Sequence, residues 1–249
     1  MSTKVDQDNG TGSALSDHAP MKPITVLLAE DHTLVREGLR AMLEVEDDVH
    51  VVGEAQTGRE AVDLTKRLRP DVVVMDLTMP LLNGFEATRQ IHDTVPTTKV
   101  VVLSAHTGKA YVEQAVLRGA AGYVVKQTSA EFLIRAIREV HQGSTFFRPS
   151  MPGELNGHAG ESQGGLGPQM KSASRLTSRE TEVLQLIAEG EANKQIAAEL
   201  GIRIKTVEKH RSQLMRKLDI HDTAGLTRYA VAAGVIEIRA GDAQTCILP

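Results

Sequence analysis

Short segments rich in Val, Leu, Ile and Ala alternate with amphipathic, helix-length segments over residues 23–143. The segments predicted to be strands are Ile24–Ala29, His50–Ala55, Asp71–Asp76, Lys99–Ser104 and Gly122–Val125. Three of these strands are apolar on both faces, which is typical of a buried parallel sheet. The pattern therefore predicts five βα units in order, which form an α/β domain with a doubly wound, five-stranded parallel sheet.

The pattern changes to helices alone over residues 175–240. Thr177 and Glu180 have the spacing of a capping box at the start of the first helix. Gly190 and Gly201 stand where the first and second helices should end, and a third helix is expected over 204–218. Two helices joined by a tight glycine turn indicate a small all-α helix-turn-helix domain.

The remaining segments lack periodic apolar positions. Residues 144–174 are rich in Gly, Ser and Pro, and a stretch of this length inside a compact domain would be unusual. We therefore predict a disordered tail at 1–22, a first domain at 23–143 and a flexible linker at 144–174. The helical domain then occupies 175–240, and 241–249 forms a second tail.

Composition limits the class of protein. The chain has 249 residues, of which 41% are hydrophobic and 24% charged, as in an average globular protein. No apolar run reaches the roughly 18 residues of a membrane helix, and the first 22 residues show no secretory signal. The single cysteine, Cys246, cannot form an intramolecular disulfide and suits a reducing compartment. We expect a cytoplasmic protein with no membrane partner.

Charge is distributed unevenly along the chain. Residues 1–170 contain 16 basic and 22 acidic side chains, whereas residues 171–249 contain 12 basic and 10 acidic ones. Within the second part, the segment 203–217 carries six basic residues and one acidic residue. A basic segment of helix length in an otherwise acidic protein indicates a nucleic-acid interface in the helical domain.

Polar side chains cluster at the predicted carboxyl ends of the strands, where ligands bind in this class of fold. The residues are Glu30 and Asp31 after the first strand, Asp76 at the end of the third, Ser104 at the end of the fourth and Lys126 after the fifth. Three neighbouring carboxylates raise one another's pKa values, and a hard divalent cation relieves that repulsion. Oxygen ligands of this kind suit Mg²⁺.

The same residues indicate what chemistry the edge could perform. A mononucleotide site of the flavodoxin type is disfavoured, because Glu30 and Asp31 would repel a phosphate. Asp76 is instead a candidate nucleophile that could form an aspartyl phosphate. Mg²⁺ and the ammonium group of Lys126 would neutralise the oxygens of the transferred group.

The first domain resembles the receiver domain of two-component response regulators. The matching segments are Leu28–His32, Val74–Pro80, Asn83–Gly84, Val102–Ala105 and Gly122–Lys126. The resemblance implies that Asp76 accepts phosphate from a sensor histidine kinase. It also implies that Asp31, Asp76 and the Thr78 carbonyl hold Mg²⁺, with Glu30 acting partly through water. Ser104 and Lys126 would contact the phosphoryl group, and Tyr123 would move inward as a switch.

The predicted third helix has two distinct faces when it is projected at 100° per residue. Val207, Leu214 and Leu218 point toward the core. The opposite face, which would enter a DNA major groove, carries Lys205, Glu208, Lys209, Ser212 and Arg216. Arg211 and Lys217 lie at the flanks, where backbone phosphates are within reach.

The second domain resembles the LuxR-type helix-turn-helix of the NarL/FixJ branch over 175–236. The matching segments are Leu176–Leu184, Asn193–Ala197, Leu200–Ile202, Thr206–His210 and Lys217–Leu218. The resemblance implies binding to double-stranded promoter DNA and adds Thr206 and His210 to the candidate contacts. Two residues depart from the family pattern: Arg203 replaces a frequent capping Ser, and Thr223 replaces a frequent Arg. A fourth helix near 222–233 would carry a dimer contact, with Tyr229 and Val231 as candidates.

Together, the two domains predict a DNA-binding response regulator that controls transcription. Phosphorylation would favour a homodimer, RNA polymerase is a further candidate partner, and the only catalysis expected is the receiver's own phosphorylation and dephosphorylation. A phosphatase with an aspartyl intermediate is one alternative, although it usually needs a second acid where Thr78 stands. A DNA-binding protein that works without phosphorylation is another, and the complete acidic pocket argues against it.

Overall fold

The computed structural model describes residues 22–147 and 176–236. The two predicted tails, apart from Lys22, lie outside the described residues, as do Cys246 and the predicted linker beyond Phe147.

The first domain is a parallel sheet flanked by five helices. Its strands are β1 (Ile24–Ala29), β2 (Val49–Ala55), β3 (Val72–Asp76), β4 (Lys99–Ser104), β5 (Gly122–Val125) and β6 (Phe146–Phe147). Its helices are α1 (Thr33–Leu43), α2 (Gly58–Leu68), α3 (Gly84–Thr94), α4 (Lys109–Leu117) and α5 (Ala130–His141). The strand order is β2-β1-β3-β4-β5-β6, and every neighbouring pair is parallel. This confirms the predicted fold class.

The alternation along β1 shows why the sheet is buried on both faces. Val26 and Leu28 pack into the cluster that lies under α1 and α5. Leu27 and Ala29 point the other way, into the cluster under α2 and α3. Because each face is covered by helices, successive residues of a central strand must all be apolar.

The sixth strand was not predicted. Phe146 and Phe147 fall within the predicted linker, yet they pair with Gly122 and Tyr123 of β5. Phe146 is 1% exposed, and its ring packs edge-on against Phe132 at 4.9 Å between centroids. Two residues are too few to show an alternating pattern, so the burial of Phe146 was not visible in the sequence.

The second domain consists of α6 (Ser178–Ala188), α7 (Asn193–Glu199), α8 (Ile204–Leu218) and α9 (Thr223–Ala232). The capping box at the start of α6 is confirmed, since the Thr177 hydroxyl accepts from the Glu180 N–H and the Glu180 carboxylate accepts from the Thr177 N–H. Helix α8 has the predicted bounds, and Arg203 at its N-cap provides no side-chain hydrogen bond. Within the two described ranges, no helix has the length and apolar character needed to cross a bilayer.

Candidate functional site

The sheet topology brings four of the predicted site residues to one place. Strands β1, β3, β4 and β5 are successive neighbours, and their carboxyl ends lie at the same edge of the sheet. Glu30 follows β1 directly, Asp76 ends β3, Ser104 ends β4, and Lys126 follows β5. The predicted cluster at the strand ends is therefore present in the structure.

Lys126 joins two of the carboxylates. Its Nζ lies 2.8 Å from Oε2 of Glu30 and 3.0 Å from Oδ1 of Asp76. Glu30 is 1% exposed and Asp76 is 3% exposed. An ammonium group shared by two buried carboxylates offsets part of the cost of removing their charges from water.

The environment of Asp76 changes its acidity. Burial is the largest cause, and together with the negative charge of Glu30 it raises the pKa of Asp76 to about 6, against the opposing effect of Lys126. Burial lowers the pKa of Lys126, but the charges of Asp76 and Glu30 outweigh it and raise that pKa above its usual range. At neutral pH the lysine is therefore charged and Asp76 is mostly ionised, as a nucleophile must be.

The donor set fits a hard divalent cation. Ligand atoms from Glu30, Asp31, His32 and Asp76 all lie within 4.8 Å of one another. His32 Nδ1 lies 3.1 Å from Oε1 of Glu30 and 3.1 Å from Oδ1 of Asp31, and the His32 side chain is 53% exposed, far more than either carboxylate. Three carboxylates within this distance suit the oxygen-rich coordination of Mg²⁺.

Ser104 and Tyr123 lie beside this pocket. The Ser104 hydroxyl is 1% exposed and accepts a hydrogen bond from the His106 N–H at 3.1 Å, while the Ser104 carbonyl accepts from the Lys126 N–H. The Tyr123 ring is buried, and its hydroxyl donates to the His106 carbonyl at 2.9 Å. His106 thus links Ser104 to the predicted switch residue Tyr123, and its ring stacks on Tyr111 at 4.1 Å between centroids.

Thr78 lies in the loop between β3 and α3, two residues beyond Asp76, and is half-buried. This loop, residues 77–83, turns back closely on itself, because the Gly84 N–H donates to the Leu77 carbonyl at 2.8 Å. Asn83 caps α3 by accepting from the Glu86 N–H. The loop therefore connects Asp76 directly to the start of a helix.

The sequence analysis did not identify Arg36, whose buried side chain contacts the backbone of Glu30 at the pocket. Its guanidinium is 6% exposed and donates to the Glu30 carbonyl at 2.8 Å and to the Glu54 carboxylate at 3.0 Å. The sequence did indicate that Arg36 is buried, because it shares one helix face with Leu39 and Leu43. An arginine on the core-facing side of a helix either extends to solvent or donates hydrogen bonds to buried oxygen atoms.

The second predicted site is the outer face of α8. Val207 and Leu214 are fully buried and Leu218 is half-buried. The five side chains predicted to face a major groove are all exposed: Lys205, Glu208, Lys209, Ser212 and Arg216. The structure therefore has the two faces that the projection predicted.

The flanking residues of α8 are more constrained than the sequence suggested. Lys217 Nζ lies 2.6 Å from Oε2 of the buried Glu180, which ties α8 to α6. Arg211 donates to the side chains of Asn193 and Thr223. Thr206 and His210 are half-buried. Lys217 and Arg211 are thus held by contacts inside the domain.

Comparison with known proteins gives the family. Residues 26–138 match the family model of the response regulator receiver domain, and residues 174–230 match that of the luxR family of bacterial regulatory proteins. The transcriptional regulatory protein MctR of Rhizobium johnstonii is 38% identical over 213 residues, which cover 86% of this chain and 95% of MctR. The chain belongs to the LuxR-type response regulators.

Other response regulators show the same extent of similarity. The transcriptional regulatory protein LiaR of Bacillus subtilis is 39% identical over 207 residues, covering 83% of this chain and 96% of LiaR. A solved structure of the Salmonella typhimurium RcsB response regulator has a TM-score of 0.50 and 27% identity, covering 85% of this chain and 100% of that one. This response regulator therefore combines a receiver with a LuxR-type DNA-binding domain, in a family of transcriptional regulators and not of classical enzymes.

Proposed function

We propose that this response regulator accepts a phosphoryl group on Asp76 from a sensor histidine kinase and thereby changes its binding to promoter DNA. The observation that carries the proposal is the contact between Lys126 and Asp76, 3.0 Å apart in a pocket that also holds Glu30 and Asp31. A buried carboxylate with an ammonium group beside it and two further acids nearby has the composition of a phosphoryl-accepting site.

In the transfer, a carboxylate oxygen of Asp76 attacks the phosphorus atom. The bond from phosphorus to the kinase's imidazole nitrogen breaks, and that nitrogen keeps the electron pair. Lys126 holds positive charge next to the acceptor oxygen, and the Ser104 hydroxyl lies at the adjacent strand end. Both groups would stabilise the charge on the phosphoryl oxygens.

Asp31, Asp76 and the Thr78 carbonyl would hold Mg²⁺, with Glu30 acting partly through water. When bound, the ion supplies positive charge at the oxygens of the transferred group. It also removes the repulsion among the three carboxylates, which otherwise disfavours ionisation of Asp76. The receiver's own catalysis would be limited to its phosphorylation and dephosphorylation.

The proposed DNA-binding surface is the exposed face of α8. Lys205, Lys209 and Arg216 supply positive charge there, and Glu208 and Ser212 supply hydrogen-bonding groups. Lys209 and Arg216 can reach guanine edges or phosphates, and Glu208 can accept from cytosine. The half-buried Thr206 and His210, with Arg211 and Lys217, are proposed to border the contact with the DNA backbone.

Phosphorylation would act through the population of a homodimer whose two α8 helices occupy two half-sites. Tyr123 would report the state of Asp76 through Ser104 and His106, and RNA polymerase is proposed as a further partner at the promoter. We place these events in the cytoplasm, because the proposed target is genomic DNA and Cys246 suits a reducing compartment.

The experiment is phosphoryl uptake from acetyl phosphate, counted by mass spectrometry of the intact chain. We expect one added phosphoryl group with Mg²⁺, none with excess chelator and none in Asp76→Asn. Asp63→Asn is the matched control, because Asp63 is an exposed aspartate on α2, away from the pocket. Unchanged labelling of Asp76→Asn would refute the assignment of the acceptor.

A further inference from the structure

The DNA-binding domain contacts the loop that follows the proposed phosphoacceptor. Helix α6 lies against this loop, residues 77–83, and against α3. Around the contact, Glu182 of α6 accepts from Gln90 of α3 at 2.8 Å and lies 3.7 Å from Arg59 of α2. Arg59 also lies 2.9 Å from Glu199 of α7. The two domains therefore meet at a polar interface centred on the loop.

Gln185 of α6 is the centre of this contact. Its carboxamide oxygen accepts from the Asn83 N–H at 2.7 Å and from the Asn83 side chain at 3.2 Å. Its amide nitrogen donates to the Met79 carbonyl at 3.0 Å and to Glu189 at 2.8 Å. Gln185 is 1% exposed, and both ends of its amide are thus fully used.

The loop itself has a conformation that needs external support. Leu81 has φ = +66°, in the left-handed region that a branched, non-glycine residue rarely adopts. Its N–H faces the Glu189 carboxylate at 3.3 Å, and its side chain packs against the hydrophobic core of the DNA-binding domain. A strained residue of this kind persists when its surroundings hold it in place, and here those surroundings include Glu189 and the hydrophobic core of the other domain.

We propose that Gln185 is a positioning residue for the Mg²⁺-binding loop of the receiver, so that docking of the DNA-binding domain strengthens Mg²⁺ binding. The inference rests on the proposed function, which assigns the Thr78 carbonyl to the ion. Gln185 fixes the next carbonyl along the chain, that of Met79, and also fixes the Asn83 N–H at the end of the same loop. The Thr78 carbonyl lies between the end of β3 at Asp76 and the fixed Met79 carbonyl, so the peptide group that carries it is restrained from both sides. The ordering cost of binding the ion therefore falls.

The size of the effect follows from the hydrogen bonds that are lost. Gln185→Ala removes two bonds to the loop backbone, and one neutral hydrogen bond is worth about 1 kcal/mol, or about fivefold in a binding constant. Only part of this is transmitted to the ion, because the loop keeps its covalent ends and its own turn. We therefore expect Mg²⁺ affinity to fall by about three- to tenfold.

The test is a Mg²⁺ titration of the full chain in which binding is monitored by NMR amide shifts. Phosphoryl uptake is measured over the same range of Mg²⁺ concentrations. In Gln185→Ala we expect weaker Mg²⁺ binding and slower uptake at limiting Mg²⁺, with the wild-type rate at saturating Mg²⁺. Glu182→Gln weakens the interface without touching the loop, so it should give a smaller shift of the same sign. Gln195→Ala is the matched control, because Gln195 accepts from the Ala192 N–H within its own domain.

The outcomes separate this inference from the proposed function. Unchanged Mg²⁺ affinity in Gln185→Ala overturns the inference, whatever Glu182→Gln shows. An equal loss of affinity in Gln195→Ala overturns it too, because that would indicate general destabilisation. A lower rate at saturating Mg²⁺ with unchanged affinity overturns it as well. If Mg²⁺ affinity depends on Gln185 while Asp76→Asn still takes up phosphate normally, the inference stands and the proposed acceptor is wrong.

Discussion

Gly84 provides a strict test of how the end of β3, which carries Asp76, is held in place. It is the first residue of α3, and a Cβ atom added there would lie 1.9 Å from the Asp76 carbonyl oxygen. The same atom would lie 2.8 Å from the Asp76 carbonyl carbon and 2.9 Å from Cα of Leu77. All three are backbone atoms, so no side-chain rotation can relieve the overlap.

Gly84→Ala therefore requires α3 and the end of β3 to separate by about 1 Å or more. Overpacking of a close-packed interior usually costs 1–3 kcal/mol, and we expect about 3 kcal/mol here because backbone must move. For a domain of this size, the melting temperature of the receiver should fall by about 10 °C. Displacement of Asp76 should also slow its phosphorylation.

Gly38→Ala is the control. Gly38 lies within α1, and an added Cβ would have nothing within 4 Å. Replacing a glycine inside a helix by alanine should stabilise the receiver by roughly 0.5–1 kcal/mol. Both variants would be followed by thermal and urea unfolding of the full chain. If Gly84→Ala unfolds within 2 °C of wild type and takes up phosphate normally, the reasoning about this close contact is wrong.

Three further predictions concern other parts of the molecule. Phe146→Ala should destabilise the receiver by about 3–5 kcal/mol in urea unfolding, and Phe147→Ala by less, because only Phe146 is fully buried; equal losses would contradict the role of β6. Lys209→Ala and Arg216→Ala should each weaken promoter binding. In titrations over a salt series, each should also reduce the slope of log affinity against log salt concentration by the equivalent of about one phosphate contact. Arg135→Ala, which changes an exposed residue of α5, should do neither. Burial raises the pKa of Glu180, but hydrogen bonds from Lys217 and Thr177 outweigh it, so that this pKa lies below its ordinary value of 4.5. The ionised Glu180 therefore stabilises the fold above pH 4.5. This contribution to the free energy of unfolding is lost as the pH falls through the lowered pKa of the folded state. Lys217→Met should therefore lower the melting temperature at pH 7, with a difference that shrinks below pH 4.5.

The fold was predictable wherever burial imposed a repeating pattern. Strands β1, β4 and β5 have the predicted bounds, because their residues must be apolar on both sides of a covered sheet. Helix α8 was equally clear, since one of its faces is core and the other is charged. Strand β6 has only two residues, so its pairing with β5 left no periodic signal.

The site was predictable in part for a similar reason. Glu30 and Lys126 follow strands and Asp76 ends one, so a parallel sheet places them at one edge. In the structure Lys126 contacts both carboxylates. The interface between the domains was not predictable, because Gln185 and Glu182 appear as ordinary polar positions beside the apolar stripe of α6. Their burial depends on a partner surface more than 90 residues away in the sequence.

Leu81 belongs to the receiver by its position in the chain and to the DNA-binding domain by its packing. This has a consequence for chimeric regulators, in which an output domain is joined to a different receiver. If the new receiver has a small polar residue at this position, the hydrophobic core of the helical domain is exposed where Leu81 covers it here. The transplanted domain would then lose the apolar contacts that Leu81 provides. The two domains are therefore not freely exchangeable modules, and a working chimera should carry the loop of residues 77–83 along with the helices that bind it.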